Sequence, residues 1–168
     1  MENNTVNVNI TLAFKYKESD GKVSFIGKLI RWWTKSIYYH VELIWESGDD
    51  KFWISSNPDT GGVTIHNLKP LNDNWGYCKI PDVTLTKEQY VKVMNFMKDQ
   101  KDCKYDAVGI VFSQVLPFRW DSKNKWFCSE LTSTILKMLL VDEFIDVDPN
   151  TLSPADMARK LNFNKTKV

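Results

Sequence analysis

The apolar pattern of this chain changes period after Pro81, and that change restricts the folds open to it. Before residue 80 the sequence reads mostly as short strands separated by turns. After Pro81 it reads as helices. VNVNITLAF at 6–14 alternates apolar and polar residues as a strand does. Residues 38–46, 51–56 and 62–68 continue the theme, joined by ESGDDK and NPDTGG, and WGYCKI at 75–80 adds a fourth such run. Neighbouring strands with such short connections predict an antiparallel meander. One helix interrupts the series: Phe25, Ile26, Leu29, Ile30 and Trp33 recur at helical spacing behind a capping Ser24.

Beyond Pro81, Thr86 caps a run with apolar residues at 90, 93, 94 and 97. Residues 105–116 predict a further helix closed by Pro117, and the polar stretch RWDSKNK leads from it to Cys128. Leu131, Ile135, Met138 and Leu139 then form an apolar stripe. Ser153-Pro154-Ala155-Asp156 opens a last short helix with a cap, an N1 proline and a first-turn acid. The expected class is α+β, a small antiparallel sheet with helices packed on it, in a single domain spanning 1–168.

Composition narrows the function. A net charge of +1 argues neither for nucleic acid nor for an acidic partner. The three cysteines, Cys78, Cys103 and Cys128, are too few and too far apart for a disulfide framework or a zinc site. No cofactor motif is visible, and no apolar run approaches a membrane span. MENNTVNVNITLAF lacks the basic start and apolar block of a signal peptide, so a cytoplasmic protein with free thiols is the expectation.

Two places carry chemistry. Alternation through 38–45 puts Tyr39, Val41, Leu43 and Trp45 on one face, a core face. Tyr38, His40, Glu42 and Ile44 share the other, where an imidazole and a carboxylate lie side by side. A half-exposed face with solvated His and Glu is the plain alternative. In KWFCSEL, Cys128 opens a helix, where the positive end of the dipole favours thiolate and a nearby imidazole can take the proton. A small buried thiol is the plain alternative there. Glu130 is expected to satisfy first-turn amides, and His66 to be structural or exposed.

The ordered set Tyr39-His40-Val41, Phe52 to Val63 ending in Gly-Gly-Val, Lys104-Tyr105-Asp106, Phe127-Cys128-Ser129-Glu130-Leu131 and Ser153-Pro154 resembles a known family. It is similar to the circularly permuted NlpC-like members of the papain-fold hydrolases, especially the YiiX-like branch, over roughly residues 36–160. The resemblance implies a permuted papain-like fold with Cys128 as nucleophile and His40 as base. It also implies a third polar group on the neighbouring strand, where that branch tends to carry a glutamate. Here the stretch reads Trp53-Ile54-Ser55-Ser56, with no acid. Ser55, Ser56 or Glu42 is left to orient the imidazole.

The implied activity is a thiol hydrolase, an amidase, peptidase or acyl esterase, working through a thioester on Cys128 that passes to water or another acceptor. Its expected partner is a peptide or lipid-like acyl substrate, with Tyr38, Tyr39, Trp126 and Ser55 as substrate-binding candidates. Trp32, Trp33 and Phe127 are further aromatics near the two motifs. The alternatives are a weakened or inactive ligand-binding module on the same fold, which the missing acid favours, and a regulatory or structural protein whose Cys128 is merely buried.

Overall fold

The computed structural model describes residues 5–18, 21, 23–106 and 125–164. Among these residues seven strands form one sheet: β1 (Thr5–Lys15), β2 (His40–Ser47), β3 (Asp50–Asn57), β4 (Gly62–Asn67), β5 (Trp75–Thr86), β6 (Lys104–Tyr105) and β7 (Lys125–Trp126). Their order is β5-β1-β2-β3-β4-β6-β7, antiparallel except for the parallel pair β6–β7. Among the described residues four α-helices accompany them: α1 (Phe25–Thr34), α2 (Lys87–Gln100), α3 (Cys128–Met138) and α4 (Pro154–Lys160). The molecule is therefore α+β. None of its described helices is long and apolar enough to cross a membrane.

Helix starts fall where the caps predict. Ser24 accepts from Gly27 N–H, Thr86 and Gln89 form a reciprocal capping box, and Ser153 and Asp156 form another. At α3 only half of such a box exists. Glu130 Oε2 accepts from Phe127 N–H at 3.4 Å, and the Phe127 side chain has no acceptor to return the bond.

The change of period comes later than Pro81 suggests. β5 runs through Pro81 to Thr86, and Val83 and Leu85 keep the alternation and are buried. β5 is an edge strand, and at Pro81 its pairing with β1 slips. Val8 faces Val83 and Ile10 faces Ile80, so Asn9 alone spans both Pro81 and Asp82. An edge bulge is where a strand tolerates a residue without N–H. The meander is likewise shorter than expected. It holds β2, β3 and β4, while β5 crosses to pair with β1 at the opposite edge. The helix expected over 105–116 does not start there, because Tyr105 belongs to β6. Residues 107–116 of that stretch lie outside the described residues.

The core occupies the sheet face covered by α3. Val41, Leu43 and Trp45 of β2 pack with Leu131, Ile135 and Leu136, all essentially inaccessible to water. Each such side chain contributes about 1.5–3 kcal/mol on burial. The opposite face is also covered at β2, where Ala13, Ile44 and Trp53 pack with Trp75 and Tyr77. His40 and Glu42 lie on this second face and are buried, so the half-exposed face expected for them does not exist. Tyr38 and Tyr39 precede β2 and escape its alternation. Tyr38 joins the α3-side core beside Phe14, and Tyr39 packs with Ile30 and Phe127.

Gly62 explains how β6 reaches the sheet. A Cβ there would lie 2.0 Å from the Cys103 carbonyl oxygen, so only glycine lets the two backbones meet.

Candidate active site

Strand β2 begins at His40, and its next same-facing residue is Glu42. His40 Nε2 lies 3.3 Å from Glu42 Oε1 and 3.2 Å from Ser55 Oγ. A carboxylate can only accept, so Nε2 carries a hydrogen and donates to it. Ser55 reaches the ring through strand register. Leu43 pairs with Ile54, which sets Ser55 of β3 one step on, across from Glu42.

The same parity turns Ser56 to the other face. Its hydroxyl donates to the Trp126 carbonyl at 2.6 Å, tying β3 to β7. Ser56 is therefore not a partner of His40, contrary to its place among the catalytic candidates. Glu42 and Ser55 are the imidazole's partners.

Cys128 is the first residue of α3, in the position where a backbone N–H has no intrahelical acceptor. It interacts with His40. Burial alone pushes the imidazole down. The negative charge of Cys128 and a side-chain hydrogen bond to it, with the bond and charge of Glu42 behind them, outweigh burial and push His40 up to about 10. Burial similarly opposes ionisation of Glu42. The hydrogen bond and charge of His40, then Lys69 and Ser55, overcome it and hold the carboxyl below its ordinary range. Cys128 is only 2% exposed, so it does not lie open at a cleft.

Beside this cluster lies a cleft of about 360 Å³, counted with the space open to solvent. Lys15, Glu18, Tyr39, His40, Asp59 and Tyr105 are among its walls. Lys15 Nζ pairs with Glu18 Oε2 at 2.8 Å, and Tyr39 Oη donates to Glu18 Oε1 at 2.7 Å. Burial, then the charges of Cys128 and Asp106, push the Tyr105 phenol far above its ordinary value, so its O–H stays protonated near the sulfur. Gly27 lets α1 form one wall, because a Cβ there would stand 2.9 Å from the Tyr39 ring.

Of the substrate-binding candidates, Tyr39 lines this cleft, and Ser55 faces the imidazole instead. Tyr38 packs in the core with its ring tilted against Phe14 and Phe163. Trp126 packs on Phe96 and donates through Nε1 to Gln100 Oε1 at 2.9 Å. Phe127 is buried against Ile30 and Tyr39, whereas Trp32 and Trp33 face outward. His66 is half-buried opposite Trp53, and Cys78 and Cys103 are half-buried, Cys78 on β5 and Cys103 just before β6. Lys15, Glu18 and Asp59 were not candidates. Tyr105 carried a signal, as the middle residue of Lys104-Tyr105-Asp106.

The features define an α+β protein with a thiol at a helix start, set against an imidazole that a buried carboxylate holds. Compared with protein-family models and with curated proteins, the chain matches none.

Proposed function

We propose that this chain is a cysteine hydrolase of amide or ester bonds on a permuted papain-like, NlpC-like fold. The observation that carries the reading is the placement of His40, whose Nε2 meets Glu42 Oε1 at 3.3 Å and whose ring lies against Cys128 at the head of α3. With Nε2 committed to Glu42 and Ser55, Nδ1 is the ring nitrogen left to take the thiol proton. Cys128 Sγ then attacks the substrate carbonyl carbon, and the Cys128 backbone N–H stabilises the oxyanion. His40 returns its proton to the departing amine or alcohol, leaving a thioester. Water gives a proton to His40 and attacks the thioester. The acid leaves, and the thiol regains its proton.

The binding-module alternative drew its support from the missing acid on β3. Glu42, next but one to His40 on β2, supplies a carboxylate in that role, which favours the hydrolase.

Iodoacetamide labelling near neutral pH tests the pair. Cys78 and Cys103 are half-buried and Cys128 is buried, so access alone would make Cys128 the slowest. Burial also pushes the Cys78 thiol up, with the charge of Glu143 adding to it. Faster labelling of Cys128 than of the other two, lost in His40→Ala, is the expected outcome. Labelling no faster than that of an unfolded thiol, with no turnover of acyl substrates, overturns the proposal.

A further inference from the structure

Helix α1 carries more apolar surface than the fold covers. At about 100° per residue, Trp32, Phe25, Leu29, Trp33, Ile26 and Ile30 form one continuous arc around it. Only the Ile30 edge of that arc and the adjoining Gly27 are buried. Phe25 is 80% exposed, Trp32 72% and Trp33 41%. The two indoles lie 6.4 Å apart, and Ile37 extends the exposed surface just past the helix. Scattered single apolar residues are ordinary on a surface, but a contiguous aromatic patch marks an interaction site.

The other border of the arc is cationic. Lys28, Arg31 and Lys35 follow it along the helix and its cap, and α1 contains no acidic residue. An apolar face rich in Trp and Phe, flanked by Lys and Arg, suits the boundary between anionic headgroups and acyl chains. Tryptophan is at home at that depth, and the cations meet the headgroup charge. Location adds a second argument. Ser24, Ile26, Gly27 and Ile30 of this same helix and its cap line the cleft that holds His40. A surface docked on α1 would therefore lie next to the site.

We propose that α1 seats the molecule on an anionic lipid surface and that the substrate of Cys128 is an acyl lipid drawn from it. The docking half stands alone. The substrate half rests on the hydrolase reading, with the acyl group passing from its ester or amide to Sγ and then to water.

The full chain carrying Cys128→Ala, which cannot turn over lipid, is sedimented with two kinds of vesicle. One is phosphatidylcholine alone, and the other contains about one third phosphatidylserine. Binding to the anionic vesicles is expected. It should fall roughly tenfold or more in Phe25→Ser with Trp32→Ser, and by a similar factor in Lys28→Gln with Lys35→Gln. Circular dichroism confirms that these surface variants fold. Equal partitioning of all three proteins overturns the docking. So does a dimer in size-exclusion chromatography that Phe25→Ser with Trp32→Ser dissociates, if vesicle binding is absent.

In the Cys128-intact chain, the same apolar double variant should lose turnover of vesicle-borne acyl lipid but keep its labelling rate and its hydrolysis of a short soluble ester. Unchanged lipid turnover overturns the link between docking and substrate. Soluble-ester turnover with none on lipid overturns the acyl-lipid assignment alone. No turnover of either substrate, with docking intact, overturns the hydrolase reading and leaves the docking surface standing.

Discussion

Glu42 offers Oε1 to His40 and keeps Oε2 buried without a hydrogen-bond partner among the described residues. A buried carboxylate oxygen left without a donor is costly, and the charge it faces on His40 offsets that cost. Glu42→Gln removes the charge and lets the amide turn either end to the ring, so the tautomer is no longer enforced. Turnover should fall on the order of 100-fold or more, as when the orienting carboxylate of a triad is amidated. Ser56→Ala should have a far smaller effect, because its hydroxyl serves the Trp126 carbonyl. Steady-state kinetics of both variants checks the ranking, and the reverse order would return the orienting role to Ser56.

The same residues set a pH dependence. His40 is raised from about 6.5 to about 10, so its stabilising contribution is complete below about pH 6.5 and lost as pH climbs through 10. Glu42 is lowered, so its contribution is present above about pH 4.5 and lost as pH falls through its folded value. Melting temperature should decline between neutral pH and pH 10, and decline less in His40→Ala. Because Cys128 supplies much of the rise, Cys128→Ala should move the alkaline decline to lower pH. Superimposable profiles for the three proteins would refute the coupling.

Among the elements, β4 and β6 meet backbone to backbone at Gly62. Gly62 pairs with Lys104 while Val63 N–H donates to the Cys103 carbonyl at 2.8 Å, and no side chain fits between the two backbones. Gly62→Ala must therefore push β6 away, at about 1–3 kcal/mol. Denaturant titration measures that loss. β6 also holds Tyr105 at the cleft, so the variant should lower turnover even where it remains folded. A Gly62→Ala protein as stable as the parent would mean that β6 sits further off. Helix α3 is positioned from both ends of its first turn. Phe127 packs under α1, and Ser129 Oγ donates to the Leu152 carbonyl at 2.6 Å.

Across the whole molecule, the site joins residues about ninety positions apart in sequence without an open active centre around the thiol. Cys128 belongs to the main core as well as to the site. Cys128→Ala should abolish turnover and cost about 1 kcal/mol of stability for the lost buried sulfur. That loss is small against the 5–15 kcal/mol typical of a domain. Circular dichroism and a thermal melt should show a folded variant with a slightly lower midpoint. An unfolded one would make the sulfur a structural element first.

What the sequence determined alone was local. Caps at Ser24, Thr86 and Ser153 are set by a side chain meeting an amide three residues on, and they lie where predicted. The shared facing of His40 and Glu42 follows from the two-residue period of a strand. The choice of Ser55 over Ser56 needed the pairing of Leu43 with Ile54, which belongs to two strands and to neither alone. Pro81 reads as a break in one dimension, and only a bulge at a sheet edge shows how a strand can carry it. Burial of the His40 face depended on Trp53 and Trp75 closing over it, and exposure of α1 on how little of its apolar arc the fold covers. Periodicity reports which residues share a face. Contact between distant segments decides whether that face meets protein, ligand or solvent.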